Sequence, residues 1–313
     1  VTEEFKNDSV LGVISSSGIG SLGANNLTIH YDAVVNNYIV VAGGRSETFT
    51  NTNLLSEFQY PADASTTTNA FGATDTTSYW IDRSNPSILP NHSSAGLKVY
   101  TRASTSTVDQ LILSSNTVPT VASFDPLNPI YQGADIILSY VGFGSWFSGT
   151  VVGSDITGSF DYFTYGAFTS DTAMPRTGTG KYSIIIDGRF ATDRVGFLSG
   201  RGQAVADFAA GTVGFRASNL EWSPDGSSTS GIQPGIPYSM NDVPFMATAA
   251  IASGANEFSG TFDYKGSFTA SGPIHGRFYG PNAQELGAVF SGQGAGGVVE
   301  GAIVGSLGSN TIK

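Results

Sequence analysis

The sequence predicts an all-β protein, and three observations predict it. Of 313 residues, 40 are Gly, 20 Phe and 13 Tyr, while Leu, Glu and Lys are few. That is the chemistry of strands and turns. No segment carries the 3.6-residue apolar period of an amphipathic helix. From residue 181 onward, short alternating segments recur between Gly-containing turns, at a spacing suited to an antiparallel barrel or sandwich.

Each element follows from its own pattern. Leu27–Asp32 alternates apolar and polar side chains, and Asn37–Val41 follows after the turn-forming pair Asn36-Asn37. Residues 44–79 are Thr-rich without a sustained period and read as irregular strands and loops. Lys98–Arg102 and Asp109–Leu113 read as short strands, and Ala134–Tyr140 as a longer one leading into Val141–Ser148. The regular series then runs 182–188, 203–208, 211–216, 244–251, 260–269, 273–279, 285–291 and 298–304. The segment 221–238 is dense in Ser, Asp, Gly and Pro and reads as a long loop. A single helical turn is expected over 282–286, with Pro281 in a first helical position. The change from irregular to regular pattern falls in the turn-rich stretch 169–180.

Charge and composition exclude several classes of function. Lys and Arg number 14 against 25 Asp and Glu, a net charge of 14 − 25 = −11. So few cations make phosphate-led binding of nucleic acid a poor fit. Residues 1–165 hold 5 basic and 14 acidic side chains, net −9, and residues 166–313 hold 9 and 11, net −2. The acidic half suits a soluble exported protein or the steering of a basic partner. The absence of Cys removes disulfides, thiol nucleophiles and Cys-ligated zinc. No run of 18 apolar residues occurs, so no helical membrane span is predicted. The chain opens Val1-Thr2-Glu3-Glu4, with neither an initiator Met nor a signal-peptide pattern, as expected of a processed or trimmed form.

Motifs that resemble chemistry fail on context. Gly18-Ile19-Gly20-Ser21-Leu22-Gly23 fits a dinucleotide fingerprint, but it leads into a strand and no helix follows to hold a pyrophosphate. Gly178-Thr179-Gly180-Lys181 has the wrong spacing for a phosphate loop and reads as a turn. His30, His92 and His275 are isolated from one another and suit structural roles. No convergent acid, base, nucleophile or metal set is legible, so neither an enzyme nor a bound cofactor or metal is predicted.

Aromatic residues cluster at 143–168. Phe143, Trp146, Phe147, Tyr162, Phe163 and Tyr165 lie beside glycines. Period-2 aromatics pack in cores or across strands, whereas Gly-flanked aromatics on loops serve as exposed anchors for a protein or planar ligand. Most are expected in the core, and the six are the candidate binding residues.

The C-terminal third carries a recognisable signature. Gly276-Arg277-Phe278-Tyr279-Gly280-Pro281-Asn282-Ala283-Gln284-Glu285-Leu286-Gly287-Ala288-Val289-Phe290 resembles the pattern G-x-F-Y-G-P-x-A-x-E-L-G-G-x-F of transferrin-binding protein B-like surface lipoproteins. Ala288 stands where a second Gly is usual. Phe258–Phe262 resembles the strand that precedes this signature, and Val298–Gly305 resembles the final barrel strand. The signature positions Gly276, Phe278, Tyr279, Gly280, Pro281, Glu285, Leu286 and Gly287 read as architectural: Gly280 and Pro281 shape a tight turn, Gly287 admits a close backbone approach, and Glu285 caps amides of that turn.

The resemblance, strong over 163–313, implies an irregular β-sandwich-like handle domain over 1–165 followed by an eight-stranded antiparallel β-barrel over 166–313, a single lobe. It further implies a lipid-anchored, exported protein on the outer membrane surface of a Gram-negative bacterium, capturing an iron- or haem-carrying ligand for a TonB-dependent transporter. The lipid-anchor Cys of the family is not in this sequence. The same scaffold serves adhesion or immune evasion by binding a host protein. A third reading, a small ligand inside the barrel, is opposed by large residues expected to point inward: Phe208, Phe215, Phe262 and Phe268.

Overall fold

The structure is a computed structural model that describes residues 2–6, 9–15, 18–25, 28–32, 37–42, 45–59, 67–68, 74–75, 81–82, 95–104, 106–118, 136–152, 155–192, 195–222 and 245–308. Its strands are β1 (Thr2–Lys6), β2 (Ser9–Ser15), β3 (Gly18–Asn25), β4 (Thr28–Asp32), β5 (Asn37–Ala42), β6 (Arg45–Phe49), β7 (Leu54–Gln59), β8 (Thr67–Thr68), β9 (Thr74–Asp75), β10 (Ile81–Asp82), β11 (Ala95–Ala103), β12 (Thr107–Val118), β13 (Ile136–Ile137), β14 (Val141–Val152) and β15 (Asp155–Gly166). The series continues with β16 (Thr179–Ala191), β17 (Val195–Asp207), β18 (Thr212–Trp222), β19 (Phe245–Ile251), β20 (Glu257–Lys265), β21 (Thr269–Tyr279), β22 (Glu285–Gly294) and β23 (Gly297–Leu307). Among the described residues there is no α-helix.

Strands β16 to β23 form a closed antiparallel barrel, in which each pairs with the next and β16 closes on β23. All eight sequence-predicted strands of the second half are present, mostly longer than their patterns indicate. Closure leaves no edge open, which suits strands so rich in Gly. The first half forms a four-stranded sheet, β1-β4-β5-β6, and a larger sheet in the order β10-β7-β11-β12-β14-β15-β2-β3, with β13 paired to β12.

These parts stack in three layers because the middle sheet is apolar on both faces. On β14 and β15, Trp146 and Phe163 point to one side and, with Leu111 and Leu113 of β12, pack with Val40 and Phe49 of the small sheet. Phe147, Phe160 and Tyr162 point to the other side and cover Ala191, Val289, Val298 and Ala302 on the outer wall of the barrel. Alternation along a strand sends successive side chains to opposite faces, so aromatics at both parities serve two interfaces.

The barrel interior is filled. Phe245 and Phe262 stack with ring centroids 5.3 Å apart, and Phe290 meets them edge-on at 4.9 and 5.1 Å. Phe278 takes Phe258 edge-on at 5.3 Å and Phe208 at 5.6 Å. Phe208, Phe215, Phe262 and Phe268 are all buried in this core, as the sequence predicts. A barrel of eight strands has room for packed side chains or for one small ligand, and here side chains occupy it.

Two local expectations are corrected. Among the described residues of Ala134–Tyr140 only Ile136–Ile137 pairs, and Ser139 and Tyr140 bend before β14 begins, so the stretch is not read as one long strand. The expected helical turn at 282–286 is a turn over 280–283 that passes directly into β22 at Glu285. Gly18–Gly23 lies in strand β3, and strand β4 follows at Thr28, with no helix after the glycines. By contrast Gly178 is a turn residue with φ of 81° before β16, as expected. The loop expected over 221–238 begins in β18, whose last residues are Glu221 and Trp222, and the rest of it lies outside the described residues. His92 also lies outside them.

Truncating Phe262→Ala removes a ring held by two others. Urea unfolding should show a loss of about 3–5 kcal/mol.

Candidate functional site

The signature strand pair and the aromatic hairpin meet at one seam between the large sheet and the barrel wall. At its upper end stands Glu285, the first residue of β22 and a buried one. Its carboxylate accepts three consecutive backbone amides: Ser139 N–H at 2.6 Å, Tyr140 N–H at 2.8 Å and Val141 N–H at 2.7 Å. Those amides belong to the bend before β14. Glu285 therefore caps amides, but those at the start of β14 rather than of its own turn, which corrects the sequence-based expectation. Burial pushes its carboxyl above the usual range, and the three amides pull it back down.

Around this clamp Tyr279, Gly280 and Gly287 contact the stretch 140–169. The Tyr279 and Thr164 hydroxyls hydrogen-bond at 2.9 Å within the seam. Phe168 forms an isolated bridge to Tyr279, with their rings 5.2 Å apart, and Arg277 lies over the Phe168 ring at 5.0 Å. Gly280 has φ of 81°, donates its amide to Ala167 O at 2.8 Å and accepts the Thr169 hydroxyl at 2.6 Å. A side chain there would meet the Tyr140 ring 2.6 Å from its Cβ. At Gly287 an added Cβ would come within 2.9 Å of Thr164 Cβ and 3.0 Å of Tyr279. The turn itself is held by Tyr182, whose hydroxyl donates to Ala283 O at 2.7 Å, and by the Asn282 amide on Gln284 Oε1 at 2.8 Å. Phe278 and Leu286 point inward into the barrel core, and Gly276 lies beneath the Phe258 ring.

Lower on the seam the contacts carry charge. Arg189 and Glu300 sit opposite each other on β16 and β23, on the outward face of the barrel. The Arg189 guanidinium lies 4.0 Å above the Phe160 ring and hydrogen-bonds Tyr162. Desolvation lifts the Tyr162 phenol well above the ordinary tyrosine range, with Arg189 opposing the shift. Glu300 is almost fully buried.

The six candidate binding residues are thereby placed. Trp146 and Phe163 are buried between the two sheets, where the half-buried Tyr165 packs beside them. Phe147 and Tyr162 are buried on the barrel side, and Phe143 is half-buried against the same seam. Anchors for a partner need exposure, and these rings have instead a packing role. Sequence reasoning passed over Thr164, Thr169, Tyr140, Arg189 and Glu300. Nothing local marks them, since Thr164, Thr169 and Tyr140 act on residues more than a hundred positions away along the chain, and Arg189 and Glu300 meet partners on other strands. Among the described residues no group of His, Asp or Glu is arranged to hold a metal ion.

The sequence profile described as "C-lobe and N-lobe beta barrels of Tf-binding protein B" matches residues 174–308, the span of the closed barrel. The barrel of this chain is similar to the barrels of transferrin-binding protein B. No curated protein matches the chain in sequence. Solved structures resembling it include a transferrin-binding protein B from Haemophilus parasuis, at 12% identity and a TM-score of 0.40, covering 98% of this chain and 77% of that one. The isotype 1 transferrin-binding protein B from serogroup B Neisseria meningitidis aligns at 13% identity and a TM-score of 0.36, over 98% and 77% of the two chains. The N-lobe domain of lactoferrin-binding protein B from Moraxella bovis aligns at 13% and 0.33, over 96% and 99%.

The family barrel's Gly287 is predicted to be intolerant of even one methyl group. Gly287→Ala should cost about 1–3 kcal/mol through overpacking against Thr164. Gly214→Ala, at a barrel position with open space around it, should stay within about 0.5 kcal/mol in the same chemical denaturation assay.

Proposed function

We propose that this chain is a single-lobe capture protein of the outer surface of a Gram-negative bacterium, binding a host iron- or haem-carrying protein. One observation carries the reading: residues 174–308 match the barrels of transferrin-binding protein B, and the signature residues of that barrel dock the preceding sheets onto it. In this reading the chain divides into a handle over 1–165 and a barrel over 166–313. Its work is binding and not catalysis.

The burial of Trp146, Phe147, Tyr162 and Phe163, with Phe143 and Tyr165 half-buried beside them, moves the expected contact surface to the exposed turns and loops that the scaffold displays. The net charge of −9 over 1–165 favours a partner with a basic face. Delivery to a TonB-dependent outer-membrane transporter, and tethering through a lipid on a Cys outside this sequence, belong to the same proposal. The filled interior opposes a small ligand held inside the barrel.

Immobilised protein should retain transferrin, lactoferrin or haemoglobin from a panel of purified host proteins, with binding weakening as salt is raised. Deletion of the gene should slow growth on that protein as the iron source. Absence of binding to all of them, no spectral change on haem titration and unchanged iron-limited growth would overturn the reading. Retention of a host protein that carries no iron would favour adhesion.

A further inference from the structure

We propose that the seam between the large sheet and the barrel is a proton-gated joint, closed over a neutral Glu300 and loosened when that carboxyl ionises. Two glutamates lie on this seam, and they are furnished differently. Glu285 receives three amides. Glu300 receives none: both its carboxyl oxygens are buried and have no hydrogen-bond partner. It sits on the outward face of β23 between Val298 and Ala302, which Phe147, Phe160 and Tyr162 cover. A carboxylate buried without donors is far costlier than the neutral acid.

The charges facing Glu300 do not repair this. From β16 come Arg189, whose guanidinium is engaged over Phe160 and with Tyr162, and Asp187, whose carboxyl burial raises to about 6 against the pull of Arg189. From β15 come Tyr162 and the buried Asp161, whose charge repels that of Glu300. Strand β22 places Ser291 opposite, and β2, β13 and β14 contain no ionisable side chain. Burial first, and then Asp161, hold the Glu300 carboxyl well above the usual carboxylate range against the pull of Arg189.

The sign follows from linkage. The closed seam binds a proton that the opened seam releases, so closure is strongest below the ordinary Glu range and weakens as pH rises through the raised value. While Glu300 alone titrates, the opening constant rises by up to about tenfold per pH unit.

Hydrogen exchange of the full chain, followed from about pH 4 to 9 and corrected for intrinsic rates, reads this directly. Peptides covering 155–166 and 297–307 should lose protection with rising pH in the wild type, and Glu300→Gln should keep only the shallower slope that Asp187 supplies. A wild type without the slope, or an undiminished slope in Glu300→Gln, overturns the proposal. Should Glu300→Gln not fold, Glu300→Met should lose the same part of the slope, and an undiminished slope there is equally fatal. An infrared titration of the wild type should show a protonated-carboxyl band that disappears over the window in which protection falls; its absence throughout that window overturns the proposal as well.

Discussion

One carboxylate carries an unusual share of the architecture. Where the chain leaves β13 and enters β14, it bends, and three successive amides lose their ladder partners. Buried amides require acceptors. Glu285 accepts the Ser139 amide through Oε1 and those of Tyr140 and Val141 through Oε2, from a strand 144 to 146 residues further along the chain. The bend, and with it the start of β14, is thereby tied to the barrel wall. The β14–β15 hairpin then runs down that wall in unbroken register from Val141↔Gly166 to Val152↔Asp155. Thr164, Phe147, Phe160 and Tyr162 meet the barrel because that starting point is set.

The seam combines two kinds of interaction with different roles. Apolar contact between Phe147, Phe160, Tyr162 and the small side chains Ala191 and Ala302 supplies non-directional attraction. Directional contacts at Glu285, Tyr279, Thr169 and Gly280 select one placement among the many that such attraction permits. Glycines at 280 and 287 are needed because the partner chain comes too close for a side chain. The segment Gly276–Phe290 is thus a docking edge in this chain, and its conformational requirements are those of a joint.

Much of this fold was legible in the sequence. Barrel strands β19 to β21 declared themselves because they have one buried face and one wet face, as in Phe245–Ile251, where buried and exposed residues alternate. Strand β15 was harder. Phe160, Tyr162 and Phe163 occupy both parities because that strand is covered on both sides. Period 2 then tells that the aromatics pack, but not against which layer. Ala134–Tyr140 was misread because apolar content suggested a strand, whereas the controlling interaction is with a distant carboxylate. Glu300 was invisible for a related reason. A charged residue on the outward face of a barrel strand looks solvated, and only the docking of another sheet buries it. The likeness at Gly276–Phe290 was readable as architecture, but its partner was not.

The central claim is that Glu285 holds the two halves of the chain together by accepting the amides of Ser139, Tyr140 and Val141. Residue-resolved amide exchange by NMR, on the wild type and on Glu285→Ala, tests it most directly. The account predicts that these three amides are protected in the wild type. In the variant they exchange freely, and β14 and β15 lose protection with them, while the interior strands β19 and β20 keep theirs. Free exchange of the three amides in the wild type, or undiminished protection in Glu285→Ala, would contradict it.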